Sequence, residues 1–352
     1  MMKRTIVGSA VAGALLILSA TGCATTPAIT DERGRALPRS IAELEAVEIG
    51  GMEQWVLIRG TDRSNPVLLW LHGGPGAAHM PIAGGWAAEL EEHFVVVHWD
   101  QRGAGKSNPP DFDESTMRLE RYVRDVHEMT AWLQQHLGQE RIYLIGHSWG
   151  SELALHVLQE RPENYVAYVG VAQVVNRELA SEIAYRRIGD ALEEEGNARD
   201  RRRLRRLQEL GPPPYRDHSR YVEFMGIVND HGGSYDVGFA SLAVRATRAP
   251  EYRFRDYRAW LRGANRGSGP MWAEPAYRDF DARREVPRLE VPVFFIMGER
   301  DLNTPLEAVR SYYEVLDAPR GKELIVFEEA AHTPFFQDEE RFVNVLVEIR
   351  DR

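Results

Sequence analysis

The sequence predicts an α/β architecture in which a mostly parallel eight-stranded sheet is sandwiched between helices and interrupted by a helical insertion. Three observations carry this. Runs such as Pro66-Val67-Leu68-Leu69-Trp70-Leu71 and Val291-Pro292-Val293-Phe294-Phe295-Ile296-Met297 are almost continuously apolar, as strands buried on both faces are. Between such runs the spacing turns helical, as in Leu119, Tyr122, Val123, Val126, Met129, Leu133 and Leu137. From about Gln173 to Arg284 the period stays helical with no strand inside it, and sheet-like runs resume at Val291. Parallel strands need cover on both faces, so three layers follow, with the insertion as a cap.

In chain order, residues 1–22 read as a signal peptide. Lys3-Arg4 precedes an apolar stretch from Ile6 to Leu18, and small residues follow it. That stretch is short for a membrane span. Ala20-Thr21-Gly22-Cys23 resembles a bacterial lipobox, which implies lipidation of Cys23, the single cysteine of the chain. A lipid-anchored chain of a bacterial cell envelope is therefore expected, with a periplasmic or secreted form as the alternative. Residues 23–40 read as a polar tether. With one cysteine, no disulfide within the chain is possible, so stability must come from the core.

The first part of the core is expected over residues 41–172. Leu44 to Ile49 alternates apolar and polar, Gly50-Gly51 makes a tight turn, and Trp55 to Ile58 returns as an antiparallel edge hairpin. Strands follow at 66–71, 94–99, 142–145 and 165–171. The cap is expected over 173–285, broken at Gly211-Pro212-Pro213-Pro214 and between Gly263 and Gly269. The second core part, 286–352, holds the last two strands. Composition suits this plan, with 43% hydrophobic and 9% aromatic residues. The net charge of -10 argues against a nucleic-acid partner. The arginine-rich run 199–206 is followed by Leu207 and Leu210 and reads as a solvated helix face. No phosphate-binding loop and no Cys/His cluster occurs, so neither cofactor nor metal is expected.

Gly146-His147-Ser148-Trp149-Gly150 is the most informative stretch. It follows the apolar run Ile142-Tyr143-Leu144-Ile145 and precedes a helical register. A G-x-S-x-G pentapeptide in that setting turns so sharply that its serine is strained and exposed above the sheet. A serine hydroxyl needs a base, an orienting carboxylate and donors for an oxyanion. In the chain order serine, acid, histidine, the base comes after the last strand. That strand is Lys322 to Phe327, and His332 lies in the loop behind it. The acid ends the strand before; Asp301 fits the turn after Gly298 better than its rival Glu299. The oxyanion donors are expected to be the amides of Trp149 and Gly74, with Gly73 as alternate, in the loop His72-Gly73-Gly74-Pro75-Gly76. His72, His147 and His156 read as packing or hydrogen-bonding residues.

These motifs resemble the α/β-hydrolase superfamily and, within it, its proline iminopeptidase branch. Asp100-Gln101-Arg102-Gly103-Ala104-Gly105-Lys106-Ser107 matches that branch's D-Q-R-G-x-G-x-S segment, and the elbow differs from its G-G-S-W-G-S by His147 for glycine. The resemblance spans about Leu44 to Val347, weakly in the middle. Asp100 and Arg102 read as a buried ion pair or loop brace. The branch holds a substrate ammonium with cap glutamates, which here points to Glu178, Glu182 and Glu223, although no clear Trp-Glu pairing accompanies them.

The expected activity is therefore acyl transfer by a serine hydrolase, foremost an aminopeptidase releasing N-terminal residues from short peptides. A carboxylesterase or lactonase acting on small esters is the alternative enzyme, and a catalytically silent envelope binding protein is the alternative outside catalysis. The N-terminal reading has a direct check: replacing Cys23 with Ser should move the protein out of the membrane fraction, and unchanged fractionation overturns it.

Overall fold

The computed structural model describes residues 25–195, 198–234 and 237–352. The signal peptide and Cys23 lie outside the described residues. The eight strands are β1 (Ile41–Ile49), β2 (Met52–Gly60), β3 (Val67–Leu71), β4 (Val95–Asp100), β5 (Ile142–His147), β6 (Tyr165–Val171), β7 (Val293–Gly298) and β8 (Lys322–Phe327). They form one sheet in the order β1-β2-β4-β3-β5-β6-β7-β8. β2 pairs antiparallel with both β1 and β4, and every later pair is parallel. The edge hairpin is longer than its alternating core suggested, because pairing runs from Ile41↔Gly60 to Ile49↔Met52.

Strands β3, β4, β5 and β7 are buried at every position, which is why they read as unbroken apolar runs. One face packs Val56, Leu69, Val97, Leu144 and Phe295 beneath helices that include Leu119–Leu137 and Trp149–Glu160. The other face packs Trp70, Val96, Ile145, Val169 and Ile296 against the C-terminal helix Glu339–Arg350. Between β6 and β7 the chain leaves the sheet for a set of helices, among them Arg177–Glu195, Ala198–Leu210, His218–Asp230, Phe239–Thr247 and Phe254–Arg266. Part of this cap has its own core of Ile188, Leu192, Leu207, Leu210, Tyr215, Phe224 and Ile227. Leu207 and Leu210 turn inward while Arg201, Arg202, Arg205 and Arg206 are exposed, as the amphipathic spacing implied.

The segment expected as a free tether is docked where it is described. Thr30 and Ala36 form a bridge, and the Arg59 guanidinium binds the Thr26 hydroxyl and the Pro27 carbonyl. Polar composition alone did not reveal an anchoring arginine on β2. No helix among the described residues is long and apolar enough to cross a membrane.

Buried histidines line the β3–β4–β5 region. His72, His79, His98 and His147 are each at most 6% exposed. Burial disfavours the imidazolium and holds His72 down to about 4, and His98 and His147 down to about 3. Above pH 6.5 folded and unfolded chains both keep these rings neutral, so their contribution to stability is complete there. Below it the unfolded chain takes up protons that the folded chain refuses, until the buried rings protonate near pH 3 to 4. Each such histidine multiplies the unfolded fraction by roughly ten per pH unit in that window. The melting temperature is therefore expected to be flat above pH 7 and to fall steeply below pH 6. His98 has no hydrogen-bond partner on either ring nitrogen among the described residues, so a His98→Phe chain should show a measurably shallower acid fall in calorimetry.

Candidate active site

β5 ends in the elbow, and the elbow helix Trp149–Glu160 starts directly after it. Ser148 occupies φ 53°, ψ −120°, a conformation costly for a residue with a side chain and sustained only where packing over-determines it. That packing is visible at its flanks. A Cβ on Gly146 would lie 2.4 Å from the Gly150 carbonyl oxygen, and one on Gly150 would lie 2.1 Å from that of Leu71. Both glycines are required because the helix crosses β3 and β5 at near-contact. Ser148 N donates to Val171 O at 3.0 Å, tying the elbow to the end of β6.

The expected base and acid, His332 and Asp301, meet on the neighbouring loops. His332 Nδ1 donates to Asp301 Oδ2 at 2.8 Å, and both residues are almost completely buried. Asp301 also accepts the backbone amides of Asn303 and Thr304, each at 2.8 Å, and the Thr304 hydroxyl at 2.6 Å. Burial pushes the Asp301 carboxyl up, but His332 and the Thr304 donors outweigh it and hold it below the usual carboxylate range. The group is thus an anion suited to orient an imidazole. Glu299, two residues earlier, is exposed. The acid strand and the histidine loop fit closely: a Cβ on Gly298 would lie 2.0 Å from the Ala331 carbonyl.

The elbow and the histidine loop are joined by His147, which donates from Nε2 to the His332 carbonyl at 2.9 Å. Their rings lie 4.9 Å apart between centroids. His332 Nε2 receives the Asn303 side-chain amide at 3.2 Å. Catalytic hydrogen bonds between such a serine and histidine tighten as substrate binds. Asn303 was not foreseen, since one asparagine in a turn carries no distinguishing pattern.

Gly74 and Trp149 line the same cavity as Ser148. The Trp149 amide sits in the first turn of its helix, where no intrahelical acceptor exists. Gly74, at φ +116°, takes a backbone that favours glycine. Gly73 packs under the elbow instead, where a Cβ would come within 3.2 Å of Ser148 Cβ. Both expected donor residues thus border the cavity that Ser148 lines, where an oxyanion site would need them.

The cavity encloses about 460 Å³ between core and cap. Its wall is rich in amides, with Gln173, Asn176, Asn229, Asn265 and Asn303, and contains Arg177. Arg177 pairs with the buried Glu152 and stacks on Tyr277, 3.8 Å from guanidinium carbon to ring centre. None of the three cap glutamates reaches it. Glu178 pairs with Arg216 and Glu223 with Arg206 on the surface, and Glu182 is exposed. Helical position decides this: each lies on an outward stripe of its helix. No carboxylate lines the cavity among the described residues.

Asp100 and Arg102 are buried braces, though not with each other. Arg102 forms a two-pronged pair with Asp125, at 2.8 and 3.0 Å. Asp100 accepts from the Tyr252 hydroxyl of the cap and from Lys106 N, and burial pushes its carboxyl up to about 7.

Residues 66–201 match the α/β-hydrolase fold family. The chain is 37% identical to the probable aminopeptidase YbaC of Bacillus subtilis (strain 168), over 88% of this chain and 96% of that protein. It belongs to the α/β-hydrolase family. A proline iminopeptidase of Heyndrickxia coagulans is 25% identical over 80% of this hydrolase and 88% of its own length. Among solved structures, the proline iminopeptidase of Mycobacterium smegmatis superposes with a TM-score of 0.60 at 20% identity, covering 87% of this chain and 97% of that one. At that identity the likeness is one of fold.

Two outcomes test the site of this hydrolase. Asp301→Asn is expected to fold normally and to lose about 10⁴-fold in kcat. Replacing Glu178, Glu182 and Glu223 together with Gln should leave KM for small substrates within about twofold, as for other surface changes away from a site.

Proposed function

We propose that this hydrolase works by acyl transfer from Ser148 and that its substrates are short peptides with an unblocked N-terminal residue. The observation that carries the mechanism is the buried Asp301–His332 pair beside a strained serine at a helix N-terminus. His332 Nε2 turns from Asn303 to take the Ser148 proton as Oγ attacks the carbonyl carbon. The amides of Trp149 and Gly74 hold the developing oxyanion. His332 then protonates the leaving amine, and a water activated by the same ring releases the acyl group. The Asp301 carboxylate stabilises the imidazolium in both halves.

The peptide substrate is supported by the relative named a probable aminopeptidase, similar over nearly its whole length. Among the described residues the cavity wall offers side-chain amides and no carboxylate to an N-terminal ammonium. That same wall favours a second reading, a carboxylesterase acting on small uncharged esters, because an ester needs no counter-ion. An envelope location with a lipid at Cys23 is proposed alongside, on the lipobox-like sequence.

Chromogenic amides of proline and alanine, tested against p-nitrophenyl acetate and butyrate, separate the readings. Amide turnover is expected, lost by at least about 10⁴-fold in Ser148→Ala. Turnover of esters alone overturns the peptidase assignment, and failure of a fluorophosphonate to label Ser148 overturns acyl transfer.

A further inference from the structure

Five large apolar side chains stand out in solvent among the described residues, and two of them, Phe254 at 60% and Leu261 at 39% exposure, share one cap helix. That helix, Phe254–Arg266, buries Asp256, Trp260 and Gly263 on its inner side. Positions 254, 258, 261 and 262 recur at three- and four-residue steps and so lie along one outer stripe. Arg258 and Arg262 are exposed on it, Arg255 is exposed at its border, and the Arg258 guanidinium lies 4.9 Å from the Phe254 ring centre. Arg248, also exposed, stands in the preceding connection.

The charge of this region is one-sided. Residues 245–266 carry seven arginines and two carboxylates, Glu251 and Asp256, in a chain whose net charge is -10. Both carboxylates point inward: they are 6% and 8% exposed, and Asp256 is held by Lys106 at 2.9 Å. Among the described residues the ion pairs of this segment engage Arg245 with Glu339, Arg255 with Asp256 at 3.5 Å, and Arg266 with Glu114, and none engages Arg248 or Arg258. An outward stripe of aromatic and aliphatic side chains flanked by exposed arginines, of which Arg248 and Arg258 lack a carboxylate partner among the described residues, is the pattern of a helix that lies in a lipid headgroup layer.

The N-terminal segment comes up beside it. Thr26 and Pro27 sit on Arg59, Arg59 pairs with Glu91 at 2.8 Å, and Glu91 is close enough to Glu251 for their charges to interact. Glu251 is three residues before Phe254. The first described residues of the chain are therefore linked through Arg59 and Glu91 to the segment that leads into this helix.

We propose that the outer face of the cap helix Phe254–Arg266, with Arg248, docks onto an anionic phospholipid surface. Phe254 and Leu261 enter the headgroup layer while Arg248, Arg255 and Arg258 meet lipid phosphates. The far end of the same helix, Ala264 to Arg266, lines the catalytic cavity, so docking sets that cavity close to the membrane plane. The inference does not depend on which bond the serine cleaves.

The single cysteine makes the test clean. In a full-length Cys23→Ser background, a nitroxide is attached at Phe254→Cys, Leu261→Cys or, as a control, Val315→Cys, an exposed position on the helix Leu306–Val315. Vesicles of phosphatidylcholine with phosphatidylglycerol are compared with phosphatidylcholine alone. On the anionic vesicles, labels at 254 and 261 should lose collisions with a water-soluble nickel chelate severalfold and gain collisions with oxygen, while the label at 315 stays in water. The triple change Arg248→Gln, Arg255→Gln, Arg258→Gln should weaken this partitioning about a hundredfold, at roughly fivefold per charge, while retaining turnover of soluble substrates. High salt should do the same to the parent chain. Three results overturn the proposal: labels at 254 and 261 that remain as wet as the one at 315, equal shielding on uncharged vesicles, or shielding without vesicles, which assigns the face to a second copy of this chain.

Discussion

The near-contact of the elbow helix with the ends of β3 and β5 is the constraint on which the rest depends. Gly150 leaves no room for a methyl group against the Leu71 carbonyl, and Gly146 leaves none against Gly150. That crossing forces Ser148 into a positive φ and aims its hydroxyl away from the sheet. It also brings the loop after β3 under the serine, where Gly73 packs against Ser148 and Gly74 borders the same cavity as Trp149. The strain is local, and the sheet on either side, buried on both faces, is stiff enough to sustain it.

Much of this was legible because the relevant physics is short-ranged in sequence. A continuous apolar run signals a doubly covered strand, and β3, β4, β5 and β7 were each visible for that reason. The elbow, the acid turn and the histidine loop each follow one of those runs, so chain order alone pointed to Ser148, Asp301 and His332, of which Asp301 and His332 are hydrogen-bonded. How near these loops come to one another, by contrast, depends on strand order, which crosses over between β3 and β4 and cannot be read from any window of residues. Asn303 escaped notice because its role arises only when its turn meets His332 across the rim.

The cap was harder for a related reason. Its helices were evident from periodicity, yet which stripe faces the cavity depends on how each helix is rotated against the core. Glu178, Glu182 and Glu223 carried the right chemistry on the outer side. Asp100 and Arg102 were rightly seen as buried braces, but adjacency in sequence suggested a mutual pair. Each instead reaches a different element: Arg102 holds Asp125 behind the sheet, and Asp100 holds Tyr252 beneath the cap. The first ties the loop to the core and the second ties the roof to the loop.

His147 departs from the glycine that the similar peptidase pattern has beside its serine, and its ring reaches the backbone of His332 itself. An imidazole thus serves as a strut of fixed length between the elbow and the histidine loop. Loops that would otherwise drift apart independently are obliged to breathe together. The separation of the elbow from the His332 loop is therefore gauged by a rigid ring, where a bare glycine would leave it to the elasticity of two separate turns.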